Sequence, residues 1–356
     1  MRSILAEIYS FIVRIRLQLY QTGIKKIRRA PKPVISIGNI TLGGTGKTPF
    51  TIYLCRILAE AGLKPAVLSR GYRGTGEKRN VLISNGREIL CSPRVSGDEP
   101  RLIAESLPGT PVAVGGKRYA SAKLLASDSS LDFDIYVLDD GFQHIQLHRE
   151  IDLALIDATS PFGGDRLIPA GILREPLSSL ARADAFIVTR THLARKKKEE
   201  IRKKLKRYNP AAPVFFYRHR LSAFKPAGLL KDTDVKNDLP LADLPGKAAF
   251  VLAAIGNPLQ FLKDLEAMGF QIAGQILMRD HHAYTQQDIE RLVDEFKAAG
   301  ADFIVTTEKD LVRMRHLDLH DIPFFAAVQE VCSEEESRFK EWLSSSLNTT
   351  LKAQKF

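Results

Sequence analysis

PVISIGNITLGGTGKTPF, residues 33–50, sets the fold of the first half of the chain. Val34-Ile35-Ser36-Ile37 is an apolar run of the length of a buried strand, and Gly38-Asn39 ends it. A glycine-rich turn then delivers Lys47 and Thr48 to the start of an apolar stretch with helical periodicity, TIYLCRILAEAG (51–62). Strand, glycine-rich turn and helix in that order form a loop that cradles nucleotide phosphates. Gly43, Gly44 and Gly46, in company with Thr41 and Thr45, let successive backbone N–H groups converge on phosphate oxygens without a clashing Cβ. Lys47 reaches the β- and γ-phosphates, and the Thr48 hydroxyl is placed to ligate Mg²⁺. The strict pattern has a glycine six residues before the lysine, where this chain has Thr41. A purely structural turn is the competing reading, and the flanking strand and helix weigh against it.

A length of 356 residues is long for one core and suits two α/β domains. Hydrophobic residues make up 44% and charged residues 26%, the balance of a globular protein. Lys and Arg number 52 against 41 Asp and Glu, and the resulting +11 suits an anionic partner: a phospholipid surface, a phosphorylated substrate or nucleic acid. Cys55, Cys91 and Cys332 are too far apart for a metal motif or a disulfide framework, which points to a reducing compartment. No apolar run reaches the length that spans a bilayer.

Residues 1–30 read as a basic amphipathic helix. Ile4, Leu5, Ile8, Phe11, Ile12, Ile15 and Leu19 recur at helical spacing, flanked by Tyr9 and Tyr20. Arg2, Arg14, Arg16, Lys25, Lys26, Arg28 and Arg29 supply charge against a single acid, Glu7. Such a helix lies in a membrane interface with its arginines at anionic headgroups. Packing on the protein itself is the other use of that face. Arg14 and Arg16 interrupt the apolar run, so it is not a signal peptide.

Further strands are expected at 65–68, 111–114, 134–138, 151–157 and 185–189, the last completing the first sheet. Residues 75–97 read as a β-hairpin around Asn85-Gly86. Asp98 precedes the helical stretch LIAESL, where an N-cap is its plainest job. The 134–138 strand ends in Asp139-Asp140, and carboxylates at such a strand end hold Mg²⁺, directly or through water, opposite a phosphate-binding loop. The long Gly/Pro-rich loop 161–176 carries Arg174 and Glu175. The basic helix at 193–208 reads as a solvated face with i,i+4 pairs. Residues 213–224 form an extended connector, after which strand–helix alternation resumes up to a last helix at 333–347 with Ser333 as N-cap and a frayed tail from Asn348.

The expected fold is α/β: a mostly parallel sheet of the P-loop NTPase type, with a second, smaller α/β domain joined by a β hinge. Its parts are the helix 1–30, the P-loop domain 31–212, the hinge connector 213–228, the second lobe 229–330, and the C-terminal helix and tail 331–356.

A phosphotransferase must also ready its acceptor hydroxyl, with a carboxylate or a His–Asp pair. Candidates are Asp98 and the cluster Arg279-Asp280-His281-His282-Ala283-Tyr284. Adjacent histidines on regular structure face different ways, which argues against one shared job or a metal pair. On composition alone, a cap or surface role is the plainer reading for either ring. Arg70, Arg73 and Arg174 are natural phosphate ligands, because the guanidinium fork fits its oxygens.

Motifs in order along the chain carry a resemblance: Gly38-Asn39-Ile40-Thr41 through Gly44-Thr45-Gly46-Lys47-Thr48-Pro49, SRGYRG (69–74), GDEP (97–100), LDDGFQH (138–144), PAGILREP (169–176), DHHAYT (280–285) and TTEKD (306–310). Together they resemble the tetraacyldisaccharide 4′-kinase family of lipid A biosynthesis over nearly the whole chain, and Thr41 is that family's own variant of the loop. The resemblance implies Mg²⁺-dependent transfer of the ATP γ-phosphate to the 4′-hydroxyl of an acylated glucosamine disaccharide 1-phosphate. It implies a peripheral enzyme at the cytoplasmic face of the inner membrane of a Gram-negative cell, on an anionic surface. By motif, Asp98 and His281 would form the dyad that activates the hydroxyl. Asp139 and Asp140 would serve Mg²⁺ and phosphate positioning, Glu175 would lie near the metal or the sugar, and Arg70, Gln143 and Arg174 would share the cleft. The second lobe would close over the first about a two-stranded hinge. An acylated substrate leaves a bilayer only at about 0.8 kcal/mol per CH₂, so its kinase must come to the interface.

Two other classes compete. A membrane-associated nucleotide-driven switch or ATPase would share the loop, respond to a protein partner and leave the 280–284 cluster without a job. A nucleic-acid binder would account for the net charge, but the 194–207 charge run lacks interleaved aromatics and any recognised module. The reading adopted is an enzyme with no nucleic-acid partner and no obligate protein partner.

Overall fold

Apolar runs of strand length alternating with amphipathic stretches of helix length build two largely parallel sheets, each in its own unit of the chain. The computed structural model describes residues 2–72, 74–227, 246–320 and 322–353. Arg73, assigned above to phosphate, lies outside the described residues. One unit comprises Met1–His219 with Val331–Phe356, the other Arg220–Glu330.

The first unit contains, in chain order, α1 (Arg2–Gln21), β1 (Val34–Asn39), α2 (Lys47–Glu60), β2 (Pro65–Ser69), β3 (Val81–Asn85), α3 (Pro93–Ser96), α4 (Asp98–Ser106), β4 (Pro111–Val114), α5 (Arg118–Ser127), β5 (Ile135–Asp139), β6 (Ile151–Asp157), β7 (Ala185–Thr189), α6 (Lys198–Tyr208) and β8 (Val214–Phe216). Its strands run in the order β3-β4-β2-β5-β1-β6-β7-β8. The pairings are parallel except β3 with β4. Strands β1, β5 and β6 are buried along their whole length, as a parallel sheet covered on both faces requires.

The second unit follows: β9 (Arg218–Pro226, its first two residues in the first unit), β10 (Ala248–Ala253), α7 (Pro258–Ala267), β11 (Gln271–Leu277), α8 (Gln286–Ala299), β12 (Phe303–Thr307), α9 (Glu308–Met314) and β13 (Phe324–Cys332, which returns to the first unit). Its order is β11-β10-β12-β13-β9. Apolar clusters cover both faces, one around Phe250, Leu292 and Phe296 and the other around Phe224, Phe270 and Phe303. The final helix, α10 (Glu336–Ala353), belongs to the first unit. There Phe339 stacks edge-on against Phe50, Phe215 and Tyr217.

Several sequence expectations are corrected. The first sheet does not end at Thr189: Val214-Phe215-Phe216, read as connector, is fully buried and pairs with β7. The 75–97 hairpin is shorter than expected: the chain turns at Asn85-Gly86 with a Ser84–Ile89 bridge and the Leu90 N–H donating to the Ile83 carbonyl at 2.8 Å, while β3 also pairs with β4. The last helix starts later and continues through Ala353 instead of fraying at Asn348, while the Ser333 hydroxyl donates to the Phe216 carbonyl at 2.7 Å and accepts from the Glu335 N–H.

α1 packs one face on the protein and leaves an apolar face exposed. Val13 and Tyr20 are buried, the Tyr9 hydroxyl donates to the Arg174 carbonyl at 2.9 Å and Arg16 donates to the Gln143 carbonyl at 2.6 Å. Ile4, Leu5, Ile8, Phe11, Ile12 and Ile15 stay exposed, Phe11 at 66%. No helix of the described residues is long and apolar enough to cross a membrane.

Candidate active site

The C-terminal ends of the central strands gather most of the predicted residues of the first unit. Asn39, at the end of β1, organises the glycine-rich loop: its side-chain Nδ2 donates to the Thr41 carbonyl and hydroxyl at 2.8 and 3.1 Å, and its Oδ1 accepts from Lys47 Nζ at 3.3 Å. The Thr41 carbonyl also accepts from Arg174 Nε at 3.0 Å. A residue with a backbone role of this kind explains why threonine suffices where the strict pattern has glycine. Thr45 is tied down through its carbonyl by the Thr189 hydroxyl at 2.9 Å, Gly43 and Gly44 face solvent, and the Thr48 side chain sits in the first turn of α2. Gly46 precedes α2 in the left-handed region at φ 83° and no side chain caps the helix there. The first N–H groups of α2 are thus left to whatever anion approaches.

Asp139 and Asp140, adjacent in sequence, have opposite electrostatics. Asp139 is buried and accepts from the Ser69 and Thr51 hydroxyls at 2.8 and 3.2 Å. Burial, with Glu99 and Asp140 nearby, pushes its carboxyl up from the ordinary 3.8 to about 6. Asp140, at φ 52°, accepts through both oxygens from Arg174 Nη1 at 3.1 Å and lies 3.5 Å from Lys47 Nζ. Burial opposes its ionisation, but Lys47 and Arg174 outweigh burial and hold it at about 2. A folded state that holds the Asp139 proton more tightly than the unfolded chain loses stability as pH rises through the window from about 4 to 6. Asp139→Asn should remove that loss: between about pH 5 and 7.5 the variant should lose about 1 kcal/mol less unfolding free energy than wild type in parallel denaturant titrations. Equal pH dependence would mean that Asp139 titrates normally.

Gln143 bridges the loop and the cations, donating to the Asn39 carbonyl at 2.8 Å and accepting from Arg174 Nη1 at 3.1 Å. Arg70 is half exposed and ion-paired with Glu77. Glu175 departs from the expected grouping: it is buried against Arg182, 2.7 Å away. Among the described residues no three of His, Cys, Asp and Glu gather as a metal cage. Asp98 is the first residue of α4, not its cap; Gly97 holds the cap position.

Sequence reasoning missed Arg118, His144 and His219. Arg118 is buried at the start of α5, just after β4, donates to the Gly115 and Gly116 carbonyls and is pulled down to about 10, chiefly by burial, while Asp140 pulls the other way. His144 is held down at about 3 by burial and by Arg118 and Arg149. His219 is buried against Gly46. Arg118 could have been flagged, since it directly follows a parallel strand's C-terminal end, where such sheets place their ligands.

In the second unit the two histidines separate. His282 Nε2 lies 3.0 Å from Asp288 Oδ2, and Asp288 with Thr285 forms the capping box of α8. His281, at φ 63°, places Nδ1 3.2 Å from Arg313 Nη2 and Nε2 3.4 Å from Lys309 Nζ.

Two α/β units, one with a glycine-rich loop, carboxylates and cations at strand ends, define a two-domain α/β enzyme. The family model described as LpxK, tetraacyldisaccharide-1-P 4′-kinase, matches residues 2–348, and the chain belongs to that family. The tetraacyldisaccharide 4′-kinase of Halothermothrix orenii is 39% identical over 325 residues, 89% of this chain and 83% of the relative. That of Desulfatibacillum aliphaticivorans is 38% identical over 344 residues, 96% of this chain and 90% of the relative. The crystal structure of LpxK from Aquifex aeolicus in complex with ATP superposes with a TM-score of 0.76 at 28% identity, covering 96% of this chain and 97% of the other.

Proposed function

We propose that the chain phosphorylates the 4′-hydroxyl of tetraacyldisaccharide 1-phosphate with ATP, using the glycine-rich loop as a P-loop of the NTPase type. Membership of the kinase family supports the reaction, and the ATP complex of the Aquifex relative supports the nucleotide. The observation that carries the assignment of the site is the Lys47–Asp140–Arg174 cluster beside the uncapped start of α2. The loop N–H groups and Lys47 hold the β- and γ-phosphates, and Arg174 steadies charge as the γ-phosphoryl moves. Thr48 and Asp139 are the residues that would hold Mg²⁺, and the fit is chemical: a buried carboxylate at the end of β5 and a hydroxyl in the first turn of α2 are oxygen donors of the kind Mg²⁺ takes. Bound there, Mg²⁺ would neutralise charge developing on the phosphates.

The 4′-hydroxyl attacks the γ-phosphorus, the bond to the ADP oxygen breaks, and the hydroxyl proton passes to Asp98, with His281 as its dyad partner. Arg70, Arg73, Arg174 and Gln143 are assigned to the substrate side, and Glu175, through its ion pair with Arg182, to shaping the loop that carries Arg174. The exposed apolar face of α1 is assigned to the membrane interface, for peripheral attachment at the cytoplasmic face of an inner membrane. One experiment tests reaction and attachment together: transfer of labelled γ-phosphate to tetraacyldisaccharide 1-phosphate, in micelles and in anionic vesicles. Wild type should transfer to the 4′ position in both. A Phe11→Glu/Ile12→Glu variant should match it in micelles and fall about tenfold in vesicles. A folded, ATP-binding wild type that fails in micelles would overturn the reaction; equal vesicle rates would overturn the attachment.

A further inference from the structure

We infer that Arg313 fixes the tautomer of His281, engaging Nδ1 as an acceptor so that Nε2 carries the ring proton and acts as a hydrogen-bond donor. The inference deepens the dyad role proposed above and rests on it for its catalytic meaning. Its geometry lies wholly within the second unit. A guanidinium has five N–H donors and no acceptor, so the 3.2 Å contact between Arg313 Nη2 and His281 Nδ1 can form only if Nδ1 offers its lone pair. A neutral imidazole has one such lone pair, which leaves the proton on Nε2.

Arg313 is not free to swing away. Its Nη1 donates to the Ala254 carbonyl at 3.0 Å and to Asp310 Oδ1 at 2.9 Å. Asp310 is fully buried and accepts in turn from the Ala254 N–H at 3.1 Å and the Thr307 hydroxyl at 2.8 Å. The same Ala254 carbonyl accepts from the His281 N–H at 3.2 Å, where the backbone adopts its positive φ. Two arms of one rigid fork therefore do different work, which a single ammonium cannot copy. Other charges face the ring: Lys309 Nζ lies 3.4 Å from Nε2, and the Asp280 carboxylate is 3.9 Å from both Nε2 and Lys309. The Lys309 ammonium also only donates and so competes for the ring's one lone pair, but its contact is the longer and comes from a flexible stem, whereas Arg313 is pinned; the lone pair goes to Arg313, and Lys309 turns to Asp280. His281 in this form supports a carboxylate by donation and does not itself take the hydroxyl proton, so Arg313 is a positioning residue for the proton transfer. His282, engaged with Asp288, has no corresponding cation on its ring among the contacts described.

The test uses the full chain in micelles with ¹⁵N-labelled histidine, the His281 signals being identified by their loss in His281→Gln. The wild-type spectrum at neutral pH or above should give an unprotonated Nδ1 and a protonated Nε2; the reverse assignment overturns the proposal without any variant having to fold. Arg313→Met should release the ring to a mixture of tautomers and lower kcat about tenfold or more, with KM for ATP unmoved. Arg313→Lys, a single ammonium, should not restore the tautomer. A ring whose tautomer ignores Arg313→Met overturns the assignment. Full activity in His281→Gln would instead sink the dyad role and leave the tautomer measurement to stand by itself.

Discussion

Asp98→Ala should transfer phosphate about 10² to 10³ times more slowly than wild type at saturating ATP, while KM for ATP stays within about twofold. Asp98 opens α4 directly after Gly97, whose φ of 77° turns the chain, and is only partly buried. Its charge at the helix N-terminus is favoured by about 0.3–1 kcal/mol, so the fold should survive its removal. The structural and catalytic roles thus differ in scale. A residue that merely helps a helix start costs a few degrees of melting temperature; a base that accepts the hydroxyl proton costs orders of magnitude in kcat. Labelled transfer under single-turnover conditions, with the melting temperature measured alongside, separates them. A variant with normal kcat and a slightly lowered melting temperature would return Asp98 to the helix end.

Gly46→Ala should raise KM for ATP about a hundredfold or more, for two separable reasons. The backbone at Gly46 has φ 83°, which costs an L-residue about 1–2 kcal/mol, or roughly 5- to 30-fold in binding. A Cβ there would also stand 2.5 Å from His219 Cε1 and 2.8 Å from Nε2. His219 has no hydrogen-bond partner for either ring nitrogen among the described residues and is held neutral, down at about 3, by burial and by Arg190 and His192. It therefore stands as an uncharged wall behind the loop, and its contribution should not vary across neutral pH. Gly46→Ala/His219→Ala should recover the steric part and keep the conformational part, leaving a defect of about 5- to 30-fold. Isothermal titration with ATP measures both. A double variant no better than the single one would mean that the wall is not what the loop needs.

The stretch 33–50 was legible because its requirements are local. A strand, glycines at tight turns and a lysine at a helix start are set by neighbours in sequence, and the structure has β1, the loop and α2 where the pattern puts them. The same holds for Asp139 and Asp140, placed at a strand end by the apolar run before them. The three-residue strand β8 was not legible, since Val-Phe-Phe becomes a strand only by pairing with β7. The Asn85-Gly86 turn was legible, but not the pairing of β3 with β4, which comes from a stretch more than twenty residues on.

Sequence by itself determined the chemistry available to this protein: the loop, the paired carboxylates, the cations, the basic amphipathic helix and the family that these motifs define. Tertiary structure decided how that chemistry is apportioned. It gave Asp139 a raised carboxyl and its neighbour a lowered one, turned Glu175 to Arg182, brought Arg118 in from the start of α5, and gave His282 to a helix cap while His281 met Arg313. The reason is range. Backbone preferences act over a few residues, whereas burial and charge act between groups that only folding brings within a few ångströms.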